Sequence, residues 1–166
     1  MKIQAILSTA VLGILAACNP PAVTVSSPDG NLAFSLSVAE GESMISIDYK
    51  GETLLPGSPV GIEFEDGYFG SGVKLKAGKP VTVVDDYDMP VGKTSHVHSV
   101  SNELVATLSN AGGRKVKVYM RAFDDGVAYR YEIPGQESMK SLAVKAERME
   151  LKPAGDPRTK AMVLPG

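Results

Sequence analysis

One ten-residue stretch constrains the fold of this chain more than any other. Phe123-Asp124-Asp125-Gly126-Val127-Ala128-Tyr129-Arg130-Tyr131-Glu132 sets an acidic turn between two runs that alternate apolar and polar side chains. Upstream, Val116, Val118, Met120 and Ala122 fall on one face of an extended strand, with Lys115, Lys117, Tyr119 and Arg121 on the other. Downstream, Val127, Tyr129, Tyr131 and Ile133 alternate with Ala128, Arg130 and Glu132. A period of two marks strands half buried on one face. Asp-Gly between two such runs signals a hairpin, because glycine takes a positive φ without steric cost and aspartate tolerates it. With Asp125 and Gly126 as the two loop residues, Ala122 faces Tyr129, Met120 faces Tyr131 and Val118 faces Ile133. The same register sets Arg121 beside Arg130, a repulsion that Glu132 relieves diagonally. Asp124, Asp125 and Gly126 are therefore assigned to a structural turn, in preference to a catalytic pair or a metal loop.

The same period governs the chain from Val23 onward. Leu32, Phe34, Leu36 and Val38 share a face after the turn Pro28-Asp29-Gly30-Asn31. Residues 44–49 follow, with Ile45, Ile47 and Tyr49 on one side, then the turn Lys50-Gly51-Glu52 and a returning arm at 53–55. Shorter runs lie at 60–64, 73–75, 81–84, 96–100 and 104–108. Residues 137–150 are open to helix or strand, and the alternation of Leu142, Val144 and Ala146 favours a strand. Seventeen Gly and eleven Pro supply turn signals at roughly 8–12-residue spacing, the habit of an all-β antiparallel sandwich or barrel.

Residues 1–17 read as a signal peptide. Lys2 gives a positive start, and the apolar run from Ile3 to Ala17 is shorter than the roughly 20 residues that span a bilayer. It ends in Leu15-Ala16-Ala17-Cys18, which resembles the bacterial lipobox, whose cysteine is acylated and becomes the mature N-terminus. Cys18 is the only cysteine, and a lone free thiol is a liability in an oxidising compartment. A thioether-linked lipid accounts for both its position and its solitude. Residues 18–22, carrying Asn19-Pro20-Pro21, then form a lipidated tether. The expectation is an exported lipoprotein, anchored at the periplasmic or outer-membrane face of a Gram-negative bacterium.

Charge and motifs exclude several function classes. The formal charge is −2 with no basic run, which argues against a nucleic-acid partner. With no Trp, four Phe and six Tyr, the chain is thin for a lectin-like stacking platform. Gly-x-Ser-x-Gly, His-Glu-x-x-His and P-loop motifs do not occur. His96 and His98 point to one side of a strand and can share a metal, with Asp85, Asp86 and Asp88 as oxygen donors. Nothing in the spacing fixes a third ligand, so they are weak candidates, and a solvated strand face is the preferred reading. The acidic run 85–88 lacks the glycine and distal glutamate of an EF-hand loop and reads as a solvated loop. Glycoside hydrolysis needs two carboxylates flanking one bond, and spacing singles out no such pair. No catalytic residue is assigned.

Five blocks carry a family resemblance: Ser27-Pro28-Asp29-Gly30-Asn31-Leu32, Ile47-Asp48-Tyr49-Lys50-Gly51, Ser58-Pro59-Val60-Gly61-Ile62, Asn102-Glu103-Leu104, and the run from Arg121 to Glu132. In order and spacing they resemble the N-terminal domain of glycoside hydrolase family 97, the α-glucosidases and α-galactosidases of glycan-degrading bacteria. The resemblance implies a galactose-mutarotase-like β-super-sandwich, followed in the parent by a catalytic (β/α)8 barrel and a small β domain. Residues 23–166 correspond to the first part of that sandwich, so an incomplete one is expected. The family's catalytic carboxylates and calcium-binding glutamates have no matching positions here. No cofactor is expected in this chain, and calcium belongs to the full-length parent. The expected function is the non-catalytic portion of an exported α-glycosidase, which binds carbohydrate or supports the barrel. Its partners would be an α-glucan or α-galactoside, the parent's barrel, and the membrane through the lipid. The alternatives are a stand-alone glycan-binding surface lipoprotein and a periplasmic metal-binding module built on His96 and His98.

Overall fold

The computed structural model describes residues 21–136 and 141–158. The lipobox residues Leu15, Ala16, Ala17 and Cys18 lie outside the described residues. Eleven strands make up the described fold, and no helix occurs among the described residues. They are β1 (Ala22–Ser26), β2 (Leu32–Ala39), β3 (Glu42–Tyr49), β4 (Glu52–Phe64), β5 (Gly67–Phe69), β6 (Lys74–Ala77), β7 (Val81–Asp88), β8 (His96–Ser109), β9 (Lys115–Phe123), β10 (Gly126–Glu132) and β11 (Val144–Met149). One sheet runs β1-β2-β3-β4-β11, with β5 also on β4. The other runs β10-β9-β8-β6, with β7 also on β8. Every pair is antiparallel. This is an all-β sandwich of two open sheets.

Alternation decides which side chains fill the space between the sheets. β2 contributes Leu32, Phe34, Leu36 and Val38, and β9 contributes Val116, Val118, Met120 and Ala122, all buried. Val25, Ile45, Ile62, Phe64, Leu104 and Leu108 belong to the same cluster. At roughly 1.5–3 kcal/mol per fully buried large aliphatic or aromatic side chain, this layer is the main source of stability.

The turns sort by backbone conformation. Glu40-Gly41 and Lys50-Gly51 both take positive φ at both residues (52° and 83°, 51° and 83°), the geometry that matches the twist of two-residue hairpins. The β9–β10 reversal differs from expectation. Its register pairs Phe123 with Gly126, Ala122 with Val127, Met120 with Tyr129 and Val118 with Tyr131. The loop residues are thus Asp124 and Asp125, and Gly126 opens β10. None of the three has a positive φ, so this turn does not use glycine's freedom. The turn moves by one residue and the pairing by two, Ala122 meeting Val127 instead of Tyr129, which keeps every side chain on its expected face. The expected Arg121–Arg130 clash does not arise: Arg121 lies opposite Ala128, and Arg130 opposite Tyr119.

Three further segments differ from the sequence reading. Residues 53–55 and 60–64 form one strand, β4, bulged where Pro56 and Gly57 fall between the Ile45–Ser58 and Ile47–Leu55 pairs; proline is tolerated at such bulges. Runs 96–100 and 104–108 are one strand, β8. They read as two because its burial changes phase between Ser101 and Leu104. Residues 85–88, expected as a solvated loop, belong to β7 and pair with 96–99. At the start, Pro21 accepts a hydrogen bond from the Val38 amide and Ala22 opens β1, so the end of the expected tether 18–22 is already joined to the sheet.

Candidate functional site

The outward face of the β10-β9-β8 sheet carries its polar chemistry. Lys117, Tyr119 and Arg121 alternate outward on β9, and the ladder sets Glu132, Arg130 and Ala128 beside them on β10. Lys117 Nζ donates to Glu132 Oε1 at 2.7 Å, and the Tyr119 hydroxyl donates to Glu132 Oε2 at 2.7 Å. Lys117 holds the Glu132 carboxyl below the usual carboxylate range, helped by Tyr119. The Arg130 guanidinium lies 3.6 Å from the centre of the Tyr119 ring, a cation–π stack. Arg121 reaches across two further strands: its Nε donates to Glu103 Oε2 on β8 at 2.7 Å, and its Nη1 to Asp85 Oδ2 on β7 at 2.8 Å. Glu103 raises the Arg121 pKa above its ordinary value. Between these groups lies a shallow basin of about 320 Å³, walled by Glu103, Tyr119, Arg121, Phe123, Ala128 and Arg130.

A second, wider cleft of about 620 Å³ lies along β4, β5 and β11. There Arg148 Nε donates to Glu63 Oε2 at 2.6 Å, and the Tyr68 ring lies over Gly61. A Cβ at Gly61 would come within 2.5 Å of the Tyr68 hydroxyl and 2.6 Å of the Phe69 carbonyl. Between the two sheets' strands β10 and β11, the Tyr129 hydroxyl donates to Oε1 of the exposed Glu147 at 2.6 Å. Burial first, and then Glu147, pushes the Tyr129 pKa up.

Asp124 has a second task beside the turn. Its Oδ1 accepts from the Asp29 amide at 2.9 Å, joining the β9–β10 reversal to the β1–β2 turn of the facing sheet. Asp29 in turn accepts from the Ser27 hydroxyl (2.5 Å) and from the Asn31 amide (2.9 Å). These donors, Ser27 first, lower its pKa to about 2.

His96 and His98 sit on exposed positions of β8, each facing an aspartate of β7. His96 Nδ1 meets Asp88 Oδ1 at 2.8 Å, and His98 Nδ1 meets Asp86 Oδ2 at 2.9 Å. Asp85 points to the opposite face and is held by Arg121. The three aspartates therefore do not converge. Among the described residues, no group of three or more His, Cys, Asp or Glu side chains is placed to hold a metal ion. The acids of β7 do not fit a calcium site either, since they are divided between the two faces and engaged by Arg121, His96 and His98.

The alternation already placed Lys117, Tyr119, Arg121, Arg130 and Glu132 on the solvent face. Sequence reasoning missed that Glu103 and Asp85 join them. The signal lay in the β7–β8–β9 register, which brings together residues up to 36 positions apart.

Two open antiparallel sheets with an aliphatic interior and a cross-strand lattice of ion pairs outside define an antiparallel β-sandwich domain. Residues 25–164 match the family model described as Glycosyl-hydrolase 97 N-terminal, and the chain belongs to that family. A probable retaining alpha-galactosidase of Streptomyces bingchenggensis (strain BCW-1) is 29% identical over 140 residues, which cover 78% of this chain and 22% of that protein. A retaining alpha-galactosidase of Bacteroides thetaiotaomicron is 26% identical over 115 residues, covering 69% of this chain and 17% of that protein. Among solved structures, a Glycoside Hydrolase Family 97 enzyme from Pseudoalteromonas sp. strain K8 in complex with panose superposes with a TM-score of 0.72. It is 29% identical, and the match covers 80% of this chain and 20% of that one. A beta-arabinopyranosidase superposes at 0.69 with 35% identity, over 75% of this chain and 20% of that one. This chain thus spans about a fifth of the length of the relatives it matches.

Proposed function

We propose that this chain is the non-catalytic N-terminal sandwich of an exported α-glycosidase in carbohydrate metabolism. Its work is to support the catalytic part and to contact carbohydrate. The observation that carries this reading is the N-terminal family match over residues 25–164, in a chain that corresponds to about a fifth of its glycosidase relatives. Carbohydrate as partner is supported by the relatives solved with panose and with acarbose. Export and lipid anchoring at Cys18 are supported by the leader sequence alone.

The test is a domain exchange in a relative of known activity, such as the Bacteroides retaining alpha-galactosidase. Deleting the matching segment should abolish hydrolysis of nitrophenyl α-galactoside, and replacing it with residues 21–166 of this chain should restore it. The isolated chain should show no turnover. Hydrolysis by the chain alone, or full activity after deletion, would refute the proposal.

A further inference from the structure

We propose that the basin on the outward face of β8, β9 and β10 is a binding site for a neutral pyranose. The inference rests on the reading that carbohydrate is a partner of this chain, and it assigns that contact to named residues.

Three observations carry it. The first is charge balance. The basin is lined by two guanidinium groups, Arg121 and Arg130, and one carboxylate, Glu103; Arg121 is also paired with Asp85, which lies outside the lining, so two carboxylates stand against the two guanidinium groups. An anionic ligand would meet Glu103, and a cationic one would meet the arginines. A polyhydroxylated neutral ligand offers both donors and acceptors and suits a mixed lining.

The second is unused hydrogen-bonding capacity held in fixed geometry. Arg121 is pinned through Nε and Nη1, which leaves Nη2 without a partner among the described residues. Glu103 uses Oε2 and leaves Oε1. Arg130 comes no nearer to a carboxylate than 3.9 Å, and its guanidinium carbon rests 3.6 Å from the centre of the Tyr119 ring. Donors and acceptors fixed before binding lose less entropy when the ligand arrives.

The third is shape and lining. About 320 Å³ falls at the lower end of ligand sites and suits a single sugar ring rather than a long chain. Phe123 and Ala128 supply the apolar wall against which the C–H face of a pyranose can rest. The small side chain of Ala128, opposite Arg121 in the ladder, keeps the basin open.

The experiment is a ¹⁵N-HSQC titration of the purified chain with maltotriose, repeated with Arg130→Ala and Glu103→Gln. Arg148→Ala, in the β4–β11 cleft, serves as the control. The expected result is shift changes concentrated on Glu103, Tyr119, Arg121, Phe123, Ala128 and Arg130, with a Kd on the order of 1 mM. Each basin variant should weaken binding about tenfold, and Arg148→Ala should leave it unchanged. Affinity should hold between about 0.05 and about 0.5 M salt, since the ligand carries no charge to screen. If a basin variant fails to fold, the wild-type shift map and salt series decide alone. Shifts that map to the Glu63–Tyr68–Arg148 cleft would overturn this site while leaving carbohydrate binding intact. Absence of any shift at tens of millimolar sugar would overturn the site too, and would leave the supporting role to be judged by the domain exchange.

Discussion

Replacing Gly126 by alanine is the sharpest check on how this hairpin is built. An Asp-Gly pair between strands suggests that the glycine is there for a positive φ, so any side chain should strain the turn. In the structure Gly126 is a strand residue opposite Phe123, has no positive φ, and a Cβ added to it would meet nothing within 4 Å. The folded state is then indifferent to the methyl group, and the unfolded chain loses freedom. Gly126→Ala should stabilise by about 0.4–1 kcal/mol. Gly51 is the internal comparison, since it too has open space around its Cβ but sits at φ 83°. An L-residue there costs roughly 1–2 kcal/mol, partly offset by the same entropic gain, so Gly51→Ala should destabilise by about 0.5–1 kcal/mol. Urea denaturation followed by circular dichroism measures both, with unchanged m-values showing that the surface exposed on unfolding is the same. If Gly126→Ala destabilises as much as Gly51→Ala, the turn depends on glycine after all and the observed register is wrong.

Other expectations follow from single contacts. Gly61→Ala drives a methyl into the Phe69 carbonyl, 2.6 Å away; backbone cannot yield as a side chain can, and a loss of about 1–3 kcal/mol is expected in the same urea assay. The Ser27 hydroxyl, with the Asn31 amide, holds the pKa of the folded Asp29 carboxyl at about 2, below the ordinary carboxylate range. A depressed carboxylate contributes stability above its unfolded pKa and loses it as pH falls through the folded value. Wild type should therefore lose stability between about pH 4 and pH 2 more steeply than Asp29→Asn, and parallel curves in that window would remove the Ser27–Asp29–Asn31 turn as the cause. If Cys18 is acylated, labelled palmitate should enter the exported wild-type protein and not the Cys18→Ser variant; equal labelling would refute the anchor.

Much of the fold was legible because a strand's side-chain period is two and does not depend on which strand lies beside it. Alternation in β2 and β9 therefore named the buried face, and the turn at Lys50-Gly51 needed only local backbone geometry. The failures share one cause. Whether a hairpin reverses at Asp124-Asp125 or at Asp125-Gly126 leaves every residue on the same face, so the hydrophobic pattern cannot choose between them. The acidic segment 85–88 looked like a loop because polarity is equally at home on an edge strand with solvent on one side.

What the amino-acid order settled alone was a chain of half-buried strands with specified inward residues, together with the blocks by which it resembles its family. Only the packed sheets decided that Glu103 and Asp85 would meet Arg121, that Arg130 would lie on Tyr119 instead of repelling Arg121, and that Asp124 would fasten the two turns together. Those contacts join residues 11 to 95 positions apart. They exist because the register of one strand against the next is fixed by the burial of the whole interior, a quantity no local stretch contains.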